Sequence, residues 1–344
     1  MRQYLTESID DYLRFRRSQD YSKNTLRQDS QCLKALLASA GNVGMWQITD
    51  KHVERHFEKL SATRTASSLS NDHKVLKKFF EWARKTGRMK PDQDPMYGRR
   101  KPKSVQRERD RVHVSLFPAL LDAAGEKEPR DRALVAVLLY TLMRDSEVSD
   151  LRIKDVDLNA GYLTARIFKT GLEDRIPICE ELDEELRKWL TVYSAQVKLE
   201  PMHSLIPPRY NSPIIGPNRR YIGHQSLYNP NRRLSQTGRL VKPALEAIGF
   251  PVVDEHGKAS GEGSHTIRRS GARALFDQLV SHGYDNAGRI VQSLLHHKSM
   301  SQTEAYIGIT ADRLSRDRLI KGQRMYGTDM SNVVSLNRDV AQNT

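Results

Sequence analysis

Residues 130–144, RDRALVAVLLYTLMR, are apolar on nearly every side. A helix with no polar face has nowhere to meet water, so it must run through the middle of a domain. The residues that follow supply the layers it needs. GYLTARIFKTGLEDRIPI, residues 161–178, alternates in polarity, breaks at Thr170-Gly171 and resumes, which predicts a β-hairpin. EELDEELRKWLTVY, residues 180–193, sets Leu182, Leu186 and Leu190 in register on an amphipathic helix. Further helices are expected over about 234–248, 266–281 and 285–295. Residues 200–232, rich in Pro, Asn, Arg and Tyr, read as a long loop or an irregular insertion. From about Val112 the chain is thus an α+β unit around one buried helix.

The first 90 residues have a different texture. Four apolar stripes predict four helices: Tyr4, Ile9, Tyr12 and Leu13; Leu26, Leu33, Leu36 and Leu37; Val53, Phe57 and Leu60; and Leu69 through Trp82. Ser22/Asn24 and Thr49-Asp50 give cap signals before the second and third. Between the two regions lies KPDQDPMYGRRKPKSVQRERDR, with Pro91, Pro95, Gly98 and Pro102 and no hydrophobic period. It carries seven Lys/Arg from Arg99 to Arg111 and reads as a basic linker.

Lys and Arg number 56 against 42 Asp and Glu, a formal charge of +14 on 344 residues. Such an excess points to a polyanionic partner, because Lys/Arg contacts to phosphates release counterions. The helical bundle and the linker are expected to grip double-stranded DNA. Arg219, Arg220 and Tyr221 in the insertion either touch it or merely face solvent. No apolar run reaches the roughly 18 residues of a membrane span. The opening MRQYLTESIDDYLRF lacks the apolar region of a signal peptide, so the expected place is the cytoplasm. Only Cys32 and Cys179 occur, without a metal-binding spacing, so neither metal nor cofactor is expected.

The chemistry gathers in four segments. Arg144 ends the buried helix in TLMRDSEVSDL, Lys169 sits at the hairpin in FKTGLEDR, His265 and Arg268 stand three apart in HTIRR, and Tyr306 follows His297 by nine residues in LLHHKSMSQTEAYIG. A phenol is a poor nucleophile at pH 7, its pKa lying about three units higher. A base beside it and cations around the phosphate it attacks make it useful.

In this ordered set the chain resembles the catalytic domain of the tyrosine recombinases, the phage-integrase family. That family carries an Arg in TGLRxSEL, a β-hairpin Lys, a His-x-x-Arg, an LGH, and a Tyr nine residues beyond that last His. The likeness covers about residues 110–325, and the first 90 resemble the family's helical core-binding domain. LMR replaces the usual approach to the Arg, and Asp145 follows Arg144 where a small or apolar residue is usual. His296 stands where the family has Gly, and the spacing to Tyr306 gives the catalytic role to His297 and leaves His296 behind the site or facing DNA.

The resemblance implies a mainly α fold with a small β-hairpin or sheet. The expected organisation is a helical DNA-binding domain over 1–90, a basic linker over 91–111, a catalytic domain over 112–326 and a flexible tail over 327–344. It implies a site-specific recombinase working through a 3′-phosphotyrosyl intermediate and a Holliday junction, in phage or mobile-element integration. Its partners would be DNA core sites, a homotetramer on two duplexes and an accessory DNA-binding protein. Arg144 and Arg268 would hold the phosphate, Tyr306 attack it, Lys169 protonate the leaving oxygen, His265 exchange the tyrosine proton and His297 bond to the phosphate. Glu147 would hold Arg144 or a neighbouring His in place. Past Tyr306, TADRLSRDRLIKGQRMYG reads as a helix for a neighbouring subunit. The alternatives are a type IB topoisomerase-like enzyme and a non-catalytic DNA-binding regulator of the same fold.

Overall fold

The computed structural model describes residues 3–103, 109–167, 171–215, 217, 220–252 and 262–309. The chain divides into two compact units, Met1–Arg107 and Glu108–Thr344.

In the first unit four helices form where the apolar stripes predict them: α1 Leu5–Ser18, α2 Lys23–Ala40, α3 Asp50–Ser61 and α4 Ala66–Lys85. Ser22 accepts from the Thr25 N–H at the start of α2, and Thr65 from the Ser68 N–H at the start of α4. Each cap satisfies a donor that the helix itself leaves unpaired. Leu5, Leu33, Leu36, Phe57, Leu76 and Phe79 form the core, where Tyr12 meets Phe79 and Trp82 edge-on at ring distances of 5.3 and 5.2 Å. Arg16 is buried with its charge partner, Asp29, at 3.0 Å.

The second unit runs α5 Phe117–Lys127, α6 Pro129–Thr141, α7 Asp145–Val148, β1 Val156–Asp157, β2 Tyr162–Ile167, β3 Leu172–Pro177 and α8 Glu180–Ser194. It continues β4 Arg209–Ile215, β5 Tyr221–Tyr228, α9 Thr237–Ala247, α10 Ser264–Ser281, α11 Ala287–Leu295 and α12 Met300–Ile307. The largely apolar α6 is its axis, with Ala133 through Leu139 buried and α5, α8, α9 and α10 packed around it. Strands β1, β2 and β3 form an antiparallel sheet in which Ala165 faces Asp174 and Ile167 faces Leu172. The fold is mainly helical with small antiparallel sheets. Among the described residues, no helix is long and apolar enough to cross a membrane.

The loop expected over 200–232 is instead a two-stranded ribbon of β4 and β5, paired from Arg209↔Tyr228 to Ile214↔Gly223 with a bulge beyond. Two properties hide it from sequence patterns. Pro213 sits inside β4, which is tolerated because a two-strand ribbon consists only of edges. Both faces are largely open to solvent, so polarity does not alternate. The ribbon's root is tied to the start of α6, where Tyr228 Oη donates to Glu128 and Arg209 Nε lies 2.9 Å from the same carboxylate. Arg220 and Tyr221 are exposed, and Arg219 lies outside the described residues.

Two features bring α6, α10, α11 and α12 together at one end. Gly271 on α10 lies against α6 so closely that a Cβ there would sit 2.1 Å from the Leu139 carbonyl oxygen. A satellite cluster of Leu142, Ala272, Val291, Leu295 and Ile307 then joins the end of α6 to the other three helices. The helix expected over 310–327 and the tail lie outside the described residues.

Candidate active site

Helix α6 ends at Thr141, three residues before Arg144, so Arg144 does not close that helix as the sequence suggests. Leu142 takes the left-handed conformation at φ 56°, stops the helix and turns the chain. Arg144 then begins α7, and Glu147 binds it twice: Oε2 accepts from its backbone N–H at 2.7 Å and Oε1 from Nη1 at 2.9 Å. Glu147 is buried, which fixes the orientation of the arginine. This is the holding contact expected of it.

The remaining reach of Arg144 leads to Leu295, the last residue of α11. Nη2 of Arg144 donates to the Leu295 carbonyl at 3.2 Å, and Nη2 of Arg268 donates to the same oxygen at 2.8 Å. Two guanidiniums from distant stretches thus converge on one acceptor. Arg268 is only 2% exposed and its Nε is buried without a hydrogen-bond partner. An unpaired buried donor of this kind costs stability. Burial, with Arg144 nearby, pushes the Arg268 guanidinium down to about 10. It therefore stays charged at neutral pH.

His265 lies one turn before Arg268 on α10 and is exposed to solvent. Desolvation of the ring, then Arg268, holds its pKa below the ordinary 6.5, against an opposing pull from Asp145. The Asp145 carboxyl is itself raised by burial, while Ser264 and His265 lower it. Asp145 and His265 thus act on each other's charge, an influence the sequence alone did not reveal.

Tyr306 projects from α12 with its hydroxyl donating to the His265 carbonyl at 3.3 Å. Its ring lies 5.8 Å from the Arg268 guanidinium carbon and 5.3 Å from the His297 ring, edge to face at 86°. Desolvation raises the phenol above its ordinary 10.0, while Arg268, Arg269, Arg144 and Arg109 pull it down. His297 is half-buried, and its Nδ1 lies 3.1 Å from Thr303 Oγ1. Arg269, next to Arg268, is absorbed by the Asp110 carbonyl and Glu262 at 2.7 and 2.8 Å. Arg144, His265, Arg268, His297 and Tyr306 therefore share one neighbourhood, and Lys169 lies outside the described residues.

His296 is the departure with the clearest geometry. It caps α11 in the left-handed conformation, φ 50° and ψ 44°, which explains why glycine suits the position. Its Nε2 lies 2.8 Å from Asp174 Oδ2 on β3.

The phage integrase family model matches residues 112–313, more than half of the chain. The chain belongs to the phage integrase family. Tyrosine recombinase XerA of Pyrococcus furiosus is 24% identical over 312 residues, covering 90% of this chain and 92% of that protein. Tyrosine recombinase XerC of Lactobacillus delbrueckii subsp. bulgaricus is 26% identical over 316 residues, covering 90% and 96%. The fold is that of lambda integrase residues 75–356, solved as a dimer bound to a COC′ core site, with a TM-score of 0.68 at 18% identity, over 89% of this chain and 95% of that one. A lambda integrase tetramer solved on a Holliday junction gives 0.64 at 19%, over 87% and 79%. This family member is a tyrosine-type recombinase, an enzyme of DNA recombination.

Proposed function

We propose that this phage-integrase-family chain cleaves and rejoins duplex DNA at specific core sites through Tyr306. The observation that carries the proposal is the convergence of Arg144 and Arg268 on one carbonyl oxygen beside the Tyr306 ring, with a buried Arg268 donor left over. Forked, permanently charged donors suit the non-bridging oxygens of a phosphodiester, on which charge builds during transfer.

In the forward step the Tyr306 oxygen bonds to phosphorus and the bond to the 5′-oxygen breaks, leaving a 3′-phosphotyrosyl link. His265, largely neutral because its pKa is lowered, accepts the phenol proton. Lys169 gives a proton to the departing 5′-oxygen, and His297 donates a hydrogen bond to the phosphate. Religation runs the same steps backwards and needs no ATP, because the phosphoester is conserved in the protein link. The domain organisation follows: residues 1–90 and 112–326 clamp the duplex, the basic linker 91–111 lies along it, and 327–344 is a flexible tail. Four copies on two duplexes would exchange strands through a Holliday junction, with an accessory DNA-binding protein. The setting is phage or mobile-element integration or excision, in the cytoplasm where the DNA lies.

The test is a duplex nicked near the cleavage point, from which the cleaved end diffuses away. Wild-type protein is expected to accumulate a covalent DNA adduct that Tyr306→Phe cannot form while still binding the site. An adduct in Tyr306→Phe would move the nucleophile elsewhere. Binding without any wild-type adduct would point to a regulator, and relaxation of supercoils without paired sites to a topoisomerase.

A further inference from the structure

We propose that His296 is a positioning residue, whose bond to Asp174 fixes the β2–β3 hairpin against the turn that gathers Arg144 and Arg268. The inference rests on the recombinase reading above. His296 directly follows Leu295, whose carbonyl accepts from both arginines. Its backbone, at φ 50°, is one that a side chain occupies at a cost and that glycine occupies freely. A histidine kept there calls for a compensating contact, and its ring supplies one: Nε2 donates to Asp174 Oδ2 at 2.8 Å, across 122 residues of sequence.

Asp174 is well placed to transmit this. It shares a strand face with buried Ile176 and stands opposite Ala165 in the ladder. Strand β2 is anchored by buried Leu163, Ala165 and Ile167, whereas Leu172 at the turnward end of β3 is 65% exposed. The bond from Asp174 therefore ties the less anchored strand to the end of α11. Lys169 precedes Asp174 by five residues, in the stretch joining the two strands. Holding β3 sets the leaving-group side of the reaction against the phosphate side.

The experiment compares cleavage of two nicked core-site duplexes, one with the natural 5′-oxygen leaving group and one with sulfur in its place. A thiolate departs without a proton, so it bypasses any misplaced acid. His296→Gly relieves the backbone and is expected to fold and bind DNA as wild type does. On the oxygen substrate its cleavage should fall on the order of ten- to a hundredfold, the scale of a displaced catalytic group. On the sulfur substrate it should recover to near the wild-type rate. His296→Asn, which also tolerates the left-handed backbone, and Asp174→Ala should behave alike. Asp174→Asn, which keeps an acceptor oxygen, should rescue the oxygen substrate, and the His296→Gly/Asp174→Ala double variant should lose no more than either single change. Wild-type rates for His296→Gly on both substrates, or equal losses on both, would overturn the proposal. Failure of the wild-type protein to form an adduct on either substrate would instead remove the recombinase reading on which it stands.

Discussion

Arg144 and Arg268 enter the site from beside α6 and from α10, two helices locked together through Gly271, whereas Tyr306 comes from α12, a helix of eight residues. The arginines already share an acceptor and one is almost fully buried. The tyrosine hydroxyl is engaged with the His265 carbonyl at 3.3 Å, a bond it gives up in the proposed attack. In the proposed reaction the electrostatic half is thus built into the core, and the attacking tyrosine is the half with a hydrogen bond to give up. Such a division suits an enzyme whose charge stabilisation costs nothing at the moment of reaction.

The largest test breaks the fixed half. Arg268→Ala should lower single-turnover cleavage by about 10²–10³-fold, roughly 3 kcal/mol or more by comparison with loss of one oxyanion donor. A near-wild-type rate would show that Arg144 suffices and that the pair is not a unit. Next in size is the joint beneath both halves. Leu142 is 1% exposed in the satellite cluster with Leu295 and Ile307, so Leu142→Ala should cost about 2–5 kcal/mol of stability in chemical denaturation. A loss well under 1 kcal/mol would mean the cluster does not hold the halves together.

Those contrasts separate what the residues disclosed from what they hid. The buried helix, the hairpin and the ordered Arg, His-x-x-Arg and Tyr segments were legible, because periodicity and spacing survive in a linear chain. The common acceptor of the two arginines was not, since a backbone carbonyl at Leu295 leaves no mark on residue type. Nor was the His296–Asp174 bond, whose partners lie on unrelated elements. The β4–β5 ribbon escaped because Pro213 and two open faces erase the strand pattern.

A smaller effect is expected from pH. In the proposed mechanism His265 takes the phenol proton as a neutral ring, and its pKa lies below 6.5, so cleavage at pH 6.5 should exceed half of its neutral plateau and decline further into acid. A rate already halved above pH 6.5 would contradict the desolvated environment. Stability carries the same sign: the unfolded chain binds the proton more readily than the folded one, so it falls as pH drops below 6.5. In the first unit His56, buried and pushed down to about 4, adds to that loss between 6.5 and about 4.

The smallest effect compares the two left-handed turns that flank the arginines. Leu142 and His296 share nearly the same backbone, φ 56° and 50°, at a cost of about 1–2 kcal/mol each. Burial offsets that cost at Leu142, since full burial of a leucine is worth about 1.5–3 kcal/mol. At His296 the offset is one partly exposed bond, worth about 0.5–1.5 kcal/mol. Removing the strain and the bond together should nearly cancel, so His296→Gly should shift Tm by less than about 4 °C in either direction. A larger fall in calorimetry would assign the bond to folding and erase the difference between the turns. A small shift alongside slowed cleavage would leave Leu142 as a turn kept for packing and His296 as a turn kept for the reaction.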